Sequence, residues 1–96
     1  MSLTPKQRQY LKGLAHSRKP VVIVGDRGVT EAVLTELDQA LAHHELVKVR
    51  VNAGDRNERE SFITRLTGRA GAELVQHIGH VAVLYRPAEK PVIRLP

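Results

Sequence analysis

Apolar side chains recur along this chain with two different periods, and the switches between them mark out the elements. Thr4-Pro5-Lys6-Gln7 has the signature of a helix start, with Thr4 as N-cap, Pro5 at the first helical position and Gln7 closing a capping box. The spacing predicts a helix to about Ala15 with Tyr10, Leu11 and Leu14 on its apolar face. Pro20 then opens Val21-Val22-Ile23-Val24, a β-branched run without alternation, as expected of a strand covered on both faces. After Gly25-Asp26-Arg27-Gly28, Thr30 caps a second helix in which Val29, Val33, Leu37 and Leu41 form a stripe four residues apart. Leu46 to Val51 alternates, with Val47, Val49 and Val51 on one side and Lys48 and Arg50 on the other, which predicts a half-exposed strand. A polar loop from Asn52 leads to a third helix, with Asp55 and Glu58 at N-cap and N3 spacing and Phe62, Ile63, Leu66 and Ala70 as its buried stripe. Leu74 to Ile78 and Val81 to Arg86 are two strands joined by a tight Gly79-His80 hairpin, and a Pro-rich tail, 87–96, offers one short edge segment near Val92 to Arg94.

The order is αβαβαββ, which implies an α/β (α+β) fold with a four-stranded mixed sheet covered by helices. With 96 residues there is material for one compact domain, its core spanning about 3–86. No cysteine is present, so disulfides and thiolate chemistry are excluded. The longest apolar run is Val21 to Val24, too short for membrane insertion, and Met1 to Thr4 lacks a signal peptide's apolar stretch; a cytoplasmic protein is expected.

A net charge of +5 changes the picture because of how it is distributed. Residues 1–27 carry Lys6, Arg8, Lys12, Arg18, Lys19 and Arg27 against Asp26 alone, whereas residues 30–45 carry Glu31, Glu36, Asp38 and Glu45 and no Lys or Arg. The acidic second helix should therefore face away from any polyanion, and the segments around it toward one.

The Gly-x-x-Gly step between a strand and a helix offers close backbone approach, helix N-terminal N–H groups and the cationic Arg27, all suited to phosphate; the same pattern also serves as a plain turn. Both glycines can take backbone angles closed to other residues. No Gly-Lys-Ser/Thr follows and the third glycine of a dinucleotide fingerprint is missing, which disfavours nucleotide hydrolysis. Only Tyr10, Phe62 and Tyr85 are aromatic, too few for a base-stacking platform, so recognition of backbone and shape is what remains. His43-His44 resembles a metal pair, but adjacent helical residues diverge by about 100°. No serine lies in a nucleophile elbow and no carboxylate pair stands out, so an enzyme is the poorer reading, and neither metal nor cofactor is expected.

Four segments in order, Leu3 to His16, Lys19 to Glu31, His43 to Val49 and Gln76 to Arg86, resemble the stand-alone CRM-domain proteins, the YhbY family of bacterial RNA-binding proteins. The resemblance implies a fold similar to the C-terminal domain of bacterial translation initiation factor three. It further implies a ribosome-assembly factor that binds 23S precursor rRNA in large-subunit particles. The family's binding loop corresponds to Gly25, Asp26, Arg27 and Gly28, and its basic surface to Lys6, Arg8, Lys12, Arg18, Lys19, Lys48 and Arg50. Asp26 places an acid in that loop, where it can order the turn in place of touching phosphate. A monomer with structured RNA as partner and no small-molecule substrate is expected. Replacing Arg27 with Glu or Gly28 with a bulky residue should cut binding and leave the fold intact. The alternative is an adaptor that docks on a basic ribosomal protein through its acidic helix 30–45.

Overall fold

The elements are α1 (Pro5–Ala15), β1 (Pro20–Val24), α2 (Glu31–His44), β2 (Leu46–Val51), α3 (Arg56–Ala70), β3 (Glu73–Ile78) and β4 (Val81–Tyr85) in the computed structural model, which describes residues 2–96. They form one four-stranded mixed sheet in the order β1-β2-β4-β3. β1 and β2 are parallel, with Val22 opposite Val49 and Val24 opposite Val51, because α2 carries the chain back to the starting end. β2 pairs antiparallel with β4, and β4 with β3, through the 79–80 turn. Gly79 at the head of that turn has φ +57°, as the first central residue of a II′ hairpin requires.

Local chemistry sets the helix ends. Thr4 accepts the Gln7 N–H at 3.1 Å while the Gln7 side chain accepts the Thr4 N–H at 3.1 Å, the reciprocal capping box. Thr30 caps α2 by accepting from Val33 N–H at 3.1 Å, and Gly71 ends α3 in the left-handed conformation with φ +64°.

The sheet has an apolar cluster on each face. On one side Val22, Val24, Val47, Val49, Val51, Ala82 and Leu84 meet Leu37 and Leu41 of α2 and Ile63 and Leu66 of α3. On the other, Leu11 and Ala15 of α1 pack on Leu46, Val75, Val83 and Tyr85, joined by Ile93 and Leu95 of the tail. Tyr10 lies outside this stripe and is exposed, because Leu11, Leu14 and Ala15 define the buried face and Tyr10 sits about a quarter-turn away.

Two helices thus roof one face and a single helix the other. α1 lies across the end of the sheet where β2 and β3 begin, tied there by Arg8 to the carbonyls of Leu74 and Val75 and, through the following turn, by Arg18 to that of Leu46. β1 is consequently not covered on both faces as its unbroken apolar run suggested. Val22 and Val24 are fully buried, but Val21 and Ile23 are 52% and 57% exposed, because α1 does not reach the edge strand.

The tail forms no strand near Val92 to Arg94. Glu45, 2% exposed, directs its carboxylate at that segment: Oε2 accepts from Ala88 N–H at 2.8 Å, and Oε1 from Val92 N–H at 3.0 Å and Ile93 N–H at 2.8 Å. Three of the tail's N–H groups are thus satisfied by one side chain in place of a strand partner. Burial by itself would push this carboxyl up, but the three N–H donors hold it below its ordinary value. Neighbouring Tyr85 is pushed up, first by burial and then by the Glu45 charge.

Candidate nucleic-acid interface

The loop between β1 and α2 is a hydrogen-bonded turn, with Gly28 N–H donating to Gly25 O at 2.9 Å and Thr30 N–H to Gly28 O at 3.1 Å. Its two glycines are not equivalent. Gly28 is buried at φ +72°, and a Cβ there would stand 3.0 Å from the Phe62 ring. Gly25 is exposed, has no positive φ, and a Cβ on it would meet nothing within 4 Å. Only Gly28 therefore needs glycine's conformational freedom, and a bulky residue there would disturb the fold, contrary to the sequence expectation. Nothing in the fold itself requires glycine at position 25.

Asp26 and Arg27, the two middle residues, are both exposed. The loop shares its end of the sheet with two others, since Asn52 N–H donates to Val24 O at 2.9 Å and Val51 N–H to His80 O at 2.7 Å. Arg50 orients toward this end through Nε, which donates to Asn52 Oδ1 at 2.9 Å. Arg59 anchors the 52–55 loop beneath, its Nη1 donating to Ala53 O at 2.9 Å and Gly54 O at 3.1 Å. Arg56, at the start of the same helix, pairs with Glu60 at 3.3 Å.

The remaining basic residues of the expected surface divide by what holds them. Lys6 and Lys19 are exposed, Lys12 and Lys48 half-buried on the α1 side of the sheet. Arg8 and Arg18 are half-buried and each commits an N–H to a sheet carbonyl, so part of their charge is bound into the architecture. The three ion pairs among the described residues are Arg56–Glu60, Arg69–Glu31 and Arg86–Asp38. All three belong to the α2/α3 side or its margin. None involves Lys6, Lys12, Lys19, Arg27, Lys48 or Arg50. No acid occurs in α1, β1 or β2. The structure thus leaves the basic residues of the α1 side and the loop end without ion pairs, and pairs three arginines, though not Arg65, on the opposite side.

Two hollows open on this basic side. One, of about 520 Å³, lies between α1 and the sheet and includes Lys12, Lys48 and Gln76; the other, about 460 Å³, lies at the start of β2 with Lys19, Lys48 and Glu45. His43 and His44 border the second, their rings edge-to-face at 5.4 Å between centroids. No group of three His, Cys, Asp or Glu side chains is arranged to hold a metal among the described residues, and no helix among them is long and apolar enough to cross a membrane.

The sequence reading missed Glu45, counted there merely as one more surface acid. Its signal was weak: a carboxylate between a helix C-terminus and the next strand, whose partners lie more than 40 residues further along the chain.

Residues 3–86 match the CRS1 / YhbY (CRM) domain. A Haemophilus influenzae protein named "RNA-binding protein" is 50% identical over 95 residues, covering 99% of this chain and 96% of the relative. A Pseudomonas aeruginosa protein named "Probable RNA-binding protein" is 42% identical over 91 residues, covering 95% and 88%. The solution structure of a Staphylococcus aureus protein superposes with a TM-score of 0.85 at 35% identity, covering 99% of this chain and all of the other. With that match over nearly its full length and these relatives, the chain belongs to the CRS1 / YhbY (CRM) domain family.

Proposed function

We propose that this chain is an RNA-binding protein that holds structured RNA by its backbone and turns over no substrate. The observation that carries this is the one-sided charge: Lys6, Lys12, Lys19, Arg27, Lys48 and Arg50 have no acidic partner, while Arg56, Arg69 and Arg86 on the other side do. A fold that sets its acids against arginines on one side and leaves the lysines and arginines of the other without ion pairs favours a polyanion there. The relatives' names supply the polyanion, RNA. Within the loop, Gly25 lets phosphate approach the backbone and Arg27 supplies charge, while the backbone bond from Gly28 N–H to Gly25 O closes the turn.

The RNA is 23S precursor rRNA, held by phosphate and 2′-OH contacts while the large subunit assembles in the cytoplasm, with the protein acting as a monomer. The adaptor reading is weaker, because Glu31 and Asp38 of the acidic helix are already paired with Arg69 at 3.2 Å and Arg86 at 2.8 Å. Crosslinking in cells, sequencing of the attached RNA and gradient fractionation of ribosomal particles test the proposal. Enrichment of large-subunit precursor sequences in pre-subunit fractions is expected; association with those particles that survives nuclease treatment would favour the adaptor.

A further inference from the structure

Gly13 sits in the last turn of α1, where glycine is the poorest helix former after proline, yet its backbone has no positive φ and a Cβ there would meet nothing within 4 Å. Neither backbone strain nor packing accounts for it. It borders the groove of about 520 Å³ between α1 and the sheet. The groove's sheet side includes Ile78, which is 65% exposed, an apolar surface left open to solvent. Gln9 and Gln76 bring amides that can both donate and accept hydrogen bonds, and Lys12 and Lys48 bring positive charge. No acid lines it.

An apolar floor with amides and cations around it complements a particular body: flat, apolar on its faces, polar at its edge and joined to phosphates. We propose that this groove receives one unpaired base of the bound RNA, with Gln9 and Gln76 at its edge and Lys12 and Lys48 on the flanking phosphates. The inference rests on the RNA-binding reading above and deepens it, since it adds selection for an unpaired nucleotide to backbone recognition. Gly13 keeps the groove clear for the base. The paucity of aromatics does not prevent this, because Ile78 and its apolar neighbours replace a stacking platform at a single position.

The test compares binding of the full chain to a stem–loop RNA and to the blunt duplex of the same stem. Gly13→Ala and Gly13→Leu are expected to keep or raise the thermal midpoint, because both residues are better helix formers than glycine. Gly13→Leu should weaken stem–loop binding about tenfold, the loss of one base contact, and leave duplex binding unchanged. Gln76→Leu, a second variant away from the helix, should change the order of preference among loops built from different bases. Equal stem–loop affinity for wild type and Gly13→Leu, together with an unaltered loop preference in Gln76→Leu, would overturn the groove assignment and leave backbone binding standing. Failure of the wild type to bind either RNA would overturn both.

Discussion

The Cβ that Gly28 lacks would stand 3.0 Å from Cε1 and Cζ of Phe62, so the loop between β1 and α2 is seated directly on an α3 ring. That contact, with φ +72°, makes Gly28 an architectural residue of the candidate binding loop. Gly28→Ala is expected to destabilise the protein by about 1–3 kcal/mol, read from urea unfolding. Adding Phe62→Leu should relieve the contact but not the backbone strain, so the double variant loses less than the sum of the two single losses.

Gly25 gives the opposite expectation. With no positive φ and open space at its Cβ, Gly25→Val should change stability by no more than about 0.5 kcal/mol. If the loop receives phosphate by close approach, RNA affinity should nonetheless drop about tenfold. Parallel unfolding and binding curves on this one variant separate a binding glycine from a folding one.

The elements were legible because their signals are local. The capping box at Thr4 and Gln7, the period-two run of β2 and the Gly79-His80 hairpin are each complete within a few residues, and all appear as expected. What was not legible depended on distant partners. Whether Val21 and Ile23 are covered depends on where α1 lies, and the role of Glu45 on a tail more than 40 residues away. The candidate site was legible at one level only. Sequence named the basic residues, but the difference between an arginine holding a carbonyl and a lysine facing solvent exists only once the sheet is assembled.

Arg8 and Arg18 should accordingly behave unlike Lys6 and Lys19. Arg18→Ala leaves the Leu46 carbonyl without its 2.7 Å donor and is expected to lower stability by about 1–3 kcal/mol. Lys6→Ala and Lys19→Ala, at exposed positions, should leave the unfolding midpoint in place and weaken RNA binding with a shallower salt dependence. Paired thermal melts and affinity measurements distinguish the two groups.

Glu45 ties stability to pH. Its folded carboxyl lies below the ordinary 4.5, so near that pH the unfolded chain binds more protons than the folded one. The contribution is complete above the ordinary value and is lost as pH falls through the lowered folded value. Glu45→Gln removes the charge and substitutes an N–H donor for one accepting oxygen, which should cost about 1–3 kcal/mol near neutral pH. The loss should shrink in acid, with faster amide exchange at Ala88, Val92 and Ile93 as the signature of a released tail.

The central claim is that the bare basic side, with its Gly25–Gly28 loop, neutralises RNA phosphates. Its most direct test is the affinity of wild type and Arg27→Glu for structured precursor rRNA across a salt series. Neutralising about three to five phosphates predicts a fall of roughly twentyfold to a hundredfold between about 50 and about 200 mM salt, with weaker binding and a shallower slope in Arg27→Glu. Binding insensitive to salt, or equal in both proteins at every salt concentration, would contradict it.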